Sequence, residues 1–181
     1  QATETINFSR EIGDKHYANM AGLVLAESYV LQGSIEDAED ALLAIEESDP
    51  SADFFVLGNI QRIRGLAAIE DHDEELAVHH FNRALTIFEA AEDIYQTGLM
   101  HHLLGSHLDA HNAARAKKHL SSAMDIFKKL GARVLMNAAS QQLERLASAV
   151  EPTPVPKSDR RSNSVVSQLL TVRLAEATAS R

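Results

Sequence analysis

The sequence predicts an all-α protein, an α-α superhelix of antiparallel helix pairs. Three observations carry the prediction. Alanine and leucine dominate a chain with 5% aromatic residues and no tryptophan, a composition that favours helix over sheet. Ala38, Ala77 and Ala116 are 39 residues apart, and Leu42, Phe81 and Leu120 keep that period, as do Ile45, Ala84 and Ala123. A fixed period in this range marks a repeat array. Finally, Gly65 to Leu85 reads as the end of one helix, a tight turn, and most of a second helix packed back on the first.

The elements follow in order. Thr3 to Ile12 is a short helical pattern closed by Gly13, which suits the left-handed position past a helix end. Lys15 to Gln32 is a full helix, with Leu23, Ala26, Tyr29 and Val30 at helical spacing. Gly33 ends it, and Ser34 caps Ile35 to Glu47, with Asp37 three residues on as in a capping box. Asp49-Pro50 stops that helix. A third full helix spans about Ala52 to Glu70. Asp73 caps the next, Glu74 to Ala91, which carries Ala77, Phe81, Ala84, Leu85 and Phe88 on one face. Ile94 to Ala110 and Ala113 to Leu130 repeat the pair, with Asn112 as cap and Gly131 as stop. Ala132 to Val150 is a first helix with no second behind it.

Prolines 152, 154 and 156 forbid helix and predict an extended linker over 151–163. Ser164 caps an amphipathic tail, 164–181, with Val165, Val166, Leu169, Leu170 and Leu174 on one face. The array thus divides into a partial repeat at 1–13, repeats at about 14–52, 53–92 and 93–131, and a partial repeat at 132–150. With no initiator methionine and a tail still helical in pattern at Arg181, the chain reads as part of a longer polypeptide.

Charge and composition narrow the function. Net charge is −9, and no lysine or arginine occurs between Ala18 and Gln61. That speaks against direct nucleic-acid contact, which needs clustered cations. The weakly basic stretch after Lys157 reads as a solvated linker. No run approaches the ~18 apolar residues of a membrane span, and the start lacks a signal pattern. The absence of cysteine excludes disulfides and thiolate metal sites and fits a reducing, cytoplasmic setting.

The array resembles the tetratricopeptide repeat. Leu25-Ala26, Tyr29, Gly33, Ala38 and Pro50 fall at that family's offsets. Gly65, Ala68, Ala77, Phe81 and Ala84 form the second copy. Leu104-Gly105, Ala116, Leu120 and Ala123 form the third, its turn one residue shorter. Small residues let two helices approach closely, while Leu42, Phe81 and Leu120 fill the gap between pairs. The period of 39 departs from the family's usual ~34. The phrases REIGD, FEAAEDIY and FKKLGAR look like repeats attached to large multidomain bacterial regulators: nucleotide-switch activators, nucleotide cyclases and enhancer-binding transcription factors. The tail looks similar to the helical connector before a sensor or output domain.

The resemblance implies a right-handed solenoid whose first helices line a concave groove. By repeat offset, Leu23, Glu27, Asn59, Arg62, Leu66, His102, Ser106 and Asp109 would face it. Arg62 and His102 would grip a carboxylate, Asn59 would bond extended backbone, and Leu23 and Leu66 would seat side chains. The expected occupant is a peptide, a partner protein or another domain of the same polypeptide, and the expected role is signalling or transcription control. A homodimer is the alternative: Val134, Leu135, Leu143 and Leu146 form an unpartnered face for the tail residues Val165, Leu169 and Leu170, in cis or in trans.

A weaker alternative is a histidine metal site, suggested by His107 and His111 four apart and by the adjacent pairs His79-His80 and His101-His102. Zinc needs three or four converging ligands, and no metalloprotease glutamate lies between His107 and His111. His80 and His119 share a repeat position, which favours a packing or surface role. The carboxylates of 35–53 spread over a solvated face. No phosphate loop, nucleophile elbow or Ser/His/Asp ordering appears. Neither an enzyme nor a cofactor is expected.

Overall fold

A computed structural model describes residues 2–11, 13–108 and 112–149. Among these, eight helices and no strand are found: α1 (Ala2–Glu11), α2 (Lys15–Leu31), α3 (Ile35–Glu46), α4 (Phe54–Glu70), α5 (Glu74–Ala90), α6 (Ile94–His107), α7 (Ala113–Leu130) and α8 (Arg133–Ala149). The all-α, helical-repeat prediction therefore holds. The linker and tail segments, 151–163 and 164–181, lie outside the described residues.

The turns explain the close pairing. At five of them the backbone N–H of one residue reaches the carbonyl five positions earlier: Asp14 to Ser9, Ser34 to Tyr29, Asp73 to Ala68, Asp93 to Phe88, and Ala132 to Phe127, at 2.8–3.0 Å. This is the wrap that ends a helix through a left-handed residue. That residue is Gly13, Gly33 or Gly131 at three turns, and His72 (φ 62) or Glu92 (φ 55) at the other two. The next residue starts the following helix. Asp14, Asp53, Asp73 and Asp93 accept from the N–H three residues on, at 2.9–3.1 Å, and so satisfy one orphan donor of each helix.

Three helix ends and one cap differ from expectation in an instructive way. α4 begins at Phe54 rather than about Ala52, because Asp53 N–H closes a turn on the Pro50 carbonyl (2.8 Å) and the Asp53 side chain then caps Val56. α6 ends at His107 rather than Ala110, since Leu108 is extended (ψ 130). α8 begins at Arg133, because Ala132 belongs to the turn. Ser34 occupies the cap position of α3 but makes no side-chain capping bond.

Left-handed backbone strains a residue with a Cβ. His72→Gly is expected to stabilise the protein by roughly 0.5–1 kcal/mol. A higher urea midpoint at unchanged slope would confirm it; a lower midpoint would show that the exposed imidazole contributes more than its backbone costs.

Helices pair antiparallel by fitting bulk into gaps. Gly58 in α4 faces Phe88 in α5, and Gly65 faces Phe81. Gly98 and Gly105 in α6 face Phe127 and Leu120 in α7. A Cβ on Gly58 would stand 2.5 Å from the Phe88 ring, so this approach requires glycine. In the first pair Gly22 receives Ile45. Leu42, Phe81 and Leu120 are fully buried, with the Ala38, Ala77 and Ala116 series beside them. One continuous core runs from Leu23 through Phe81 and Leu104 to Leu135 and Ala139, as nearest-neighbour stacking demands. Among the described residues, no helix is long and apolar enough to cross a membrane.

Candidate functional site

The polar residues expected to line a groove are instead inside the protein. Glu27, Asn59, Arg62 and His102 are 7%, 2%, 4% and 2% exposed, and Leu23 and Leu66 belong to the core. Ser106 is half-buried, and Asp109 lies outside the described residues. The expectation that these side chains form an open surface is therefore corrected. His102 and Ser106 belong to α6, which packs on α5 and α7. For Glu27, Asn59 and Arg62 the physical reason is that α2 and α4 pack directly on each other, so these faces close on each other.

What closes there is an ion pair. The Arg62 guanidinium donates from Nη1 and Nη2 to the two oxygens of Glu27, both at 2.8 Å, and from Nε to Asn59 Oδ1 at 2.9 Å. Asn59 donates in turn to the Phe55 carbonyl at 2.9 Å. The fork geometry is the strong form of such a contact. It joins two successive first helices, 35 positions apart in sequence. A second arginine, Arg64, ties α4 to α3 through Glu39 and Glu46. Its hydrogen bonds to these carboxylates raise its pKa further above the ordinary arginine value despite partial burial.

The histidines fall into two sets. His102 and His107 are held neutral, each pushed down to about 4 by burial, with His107 adding to the effect on His102. His107 lies 6.1 Å from the Phe81 ring. His102 Nδ1, Ser106 Oγ and His107 Nε2 are buried and have no hydrogen-bond partner among the described residues. The second set bridges helix pairs at one repeat position. His80 Nδ1 meets Gln61 Oε1 at 3.0 Å, and His101 Nδ1 meets His119 Nδ1 at 2.9 Å. All three of these imidazoles have lowered pKa values, with burial the first cause. His79 and His80 are edge to face. Among the described residues no three His, Asp or Glu side chains converge as a metal site would require, and His111 is not among them.

The α8 face also needs correction. Val134 is exposed (63%), but Leu135 is buried, because α8 rests on α7 and turns Leu135 and Ala139 into the core. Leu143 and Leu146 are half-buried and line, with Ala113, Ala114, Lys117 and Ala147, an open cleft of about 440 Å³. Val165, Leu169 and Leu170 lie outside the described residues.

Sequence reasoning missed the outward apolar face of α2. Tyr17, Val24 and Leu31 stand seven residues apart and are 64%, 56% and 41% exposed. The exposed carboxylates Glu36, Asp37, Asp40 and Glu47 lie on or next to α3, the helix that pairs with α2. The seven-residue spacing was the available signal. A second row, Phe54, Ile94 and Val134, is exposed at 40-residue intervals, one residue near the start of each of three first helices. No known protein family's profile matches the chain, and no curated protein matches it.

Proposed function

We propose that this chain is a protein–protein interaction module of the tetratricopeptide type, serving a cytoplasmic bacterial signalling or transcription regulator and taking a peptide or partner protein. The observation that supports this best is the α2 face. Tyr17, Val24 and Leu31 span about 21 Å on one side of a helix, the anchor spacing that a second amphipathic helix reads. The exposed carboxylates of the paired helix α3, and the absence of Lys and Arg from 18–61, favour an occupant whose flanks carry Lys or Arg. The internal Arg62 network then serves to hold α2 against α4, so that the face is presented on a rigid body.

The test compares helical peptides carrying apolar residues at i, i+3/i+4 and i+7, flanked either by lysine or by glutamate. Lysine-flanked peptides should bind the full chain, and Val24→Glu should weaken them tenfold or more at unchanged helix content. Equal binding to the Val24→Glu variant would sink this surface assignment.

A second reading, self-association or capping through the end of the array, is favoured by the cleft beside Leu143 and Leu146. The amphipathic segment 164–174 is the occupant in this reading. Fourteen intervening residues reach at most about 46–50 Å when extended, ample to fold back along α8. Sedimentation of the 181-residue chain against a form ending at Val150 distinguishes the cases. A dimer that becomes monomeric supports a swapped tail. A soluble monomer in both forms, with no change in α8 amide protection, removes the reading.

A further inference from the structure

We propose that α3, α5 and α7 together form a self-complementary surface, on which a second copy of this chain docks about a two-fold axis at α5. Each of these helices is the second of a pair and packs on its own first helix, α2, α4 or α6. Residues one period apart therefore stand side by side across the array. Two such rows set its charge. Asp37, Leu76 and Arg115 follow at the 39-residue period, and so do Asp40, His79 and Lys118. All six side chains are exposed. The surface thus runs from acid, through a middle without formal charge at these positions, to base. The helices as wholes agree: α3 has five carboxylates and no cation, whereas α7 has five cations and one carboxylate. Glu39 and Glu46 of α3 hold Arg64, which leaves Glu36, Asp37 and Asp40 to face a partner.

An order of acid, neutral, base becomes base, neutral, acid after a half turn. The surface is its own complement, which is the condition for a closed two-fold pair. With the axis at α5, the acidic α3 of each copy faces the basic α7 of the other, and the contact is made twice. The rotation also reverses helix direction. Asp40 then meets Lys118 of the second copy, and Arg115 of that copy falls one turn along, between Asp40 and Glu47. α5 follows the same rule by itself. Glu75 and Arg83 are exposed and stand four residues either side of His79. Antiparallel α5 helices crossing at His79 set each Glu75 against Arg83 of the other copy. Leu76, 44% exposed, puts an apolar contact at the centre of a charged rim, the common anatomy of an interface. A partner of one charge sign would match one end only, so the order selects a second copy. The interface is independent of the interaction face on α2, and Val24→Glu should leave it intact.

Exposed ion pairs are individually weak and are screened by salt, and this sets the experiment. Sedimentation velocity of the full chain, from about 10 to about 500 μM, reads the association. In about 0.1 M salt we expect a monomer–dimer equilibrium. In about 1 M salt, where the screening length falls to about 3 Å, it should weaken about tenfold or more. Two variants reverse one end each: Asp37→Lys with Asp40→Lys, and Arg115→Glu with Lys118→Glu. Each alone should be monomeric at unchanged helix content, because like charges meet at both contacts. Mixed in equal amounts they should recover the dimer, since each supplies the sign that the other lacks. The chain carrying all four reversals restores the order within one molecule and should dimerise again. Should a reversal disturb folding, the neutral variants Asp40→Asn and Lys118→Gln should still weaken the dimer. A monomeric parent in 0.1 M salt would overturn the interface. So would a dimer that survives the charge changes, or a mixture of the two folded reversals that stays monomeric.

Discussion

Arg62→Ala is expected to destabilise the protein by about 3–5 kcal/mol, read as a fall in the urea midpoint at unchanged slope. The arginine contributes little by being charged; its loss is costly because Glu27 stays behind. That carboxylate is 7% exposed and both its oxygens accept from Arg62. Removing the cation leaves a buried charge that must protonate or pull water into the α2–α4 contact. The double variant Glu27→Leu, Arg62→Leu should regain most of the loss, since apolar residues of similar bulk often replace a buried pair without penalty. Arg62→Lys should fall between, because an ammonium cannot span both carboxylate oxygens and Asn59 together. A loss below about 1 kcal/mol for Arg62→Ala, the range of an exposed pair, would mean that solvent reaches this contact.

The same residue shows what the sequence could and could not convey. The period, the pairing and fourteen of the sixteen helix ends within a residue were readable, because each depends on local pattern: apolar spacing, Gly or Asp at turns, and small residues opposite large ones. The face on which Arg62 sits was not readable in that way. Repeat offset gives a residue's angle around its helix, but whether that angle meets water depends on how closely the next unit packs. Glu27 and Arg62 were each legible as polar residues suited to a peptide; only their meeting across 35 positions turns them inward. One clue existed. Arg62 and Arg64 are the first cations after a run of carboxylates from Ala18 onward, and cations in such a field find partners. Leu135 was misplaced for the same reason, as it faces a neighbour whose distance no local pattern fixes. The Asp14, Asp53 and Asp93 caps were legible and overlooked: they recur at the repeat period, directly before each first helix or one residue ahead of its apolar stripe.

Acidification should unfold the array by way of His102 and His107. Both are neutral in the fold, with pKa values pushed down to about 4, whereas an unfolded imidazole titrates near 6.5. Between those values the unfolded chain binds protons that the folded one refuses. Stability from this source is fully present above about pH 6.5, is lost as pH falls toward 4, and changes no further below that. A difference of about 2.5 units corresponds to roughly 3 kcal/mol for each histidine, a large part of a small domain's stability. Urea midpoints measured from pH 7.5 to 4.5 should therefore drop steeply. His80, His101 and His119 have pKa values shifted the same way and add to the slope, so the decisive measurement is a difference. His102→Leu puts an apolar side chain where Nδ1 finds no partner. It should flatten the profile, and below about pH 5.5 it should leave the variant more stable than its parent. Parallel profiles for the two proteins would show that His102 is protonated in the native state or reached by water, and that the α6 interior is not as closed as its burial implies.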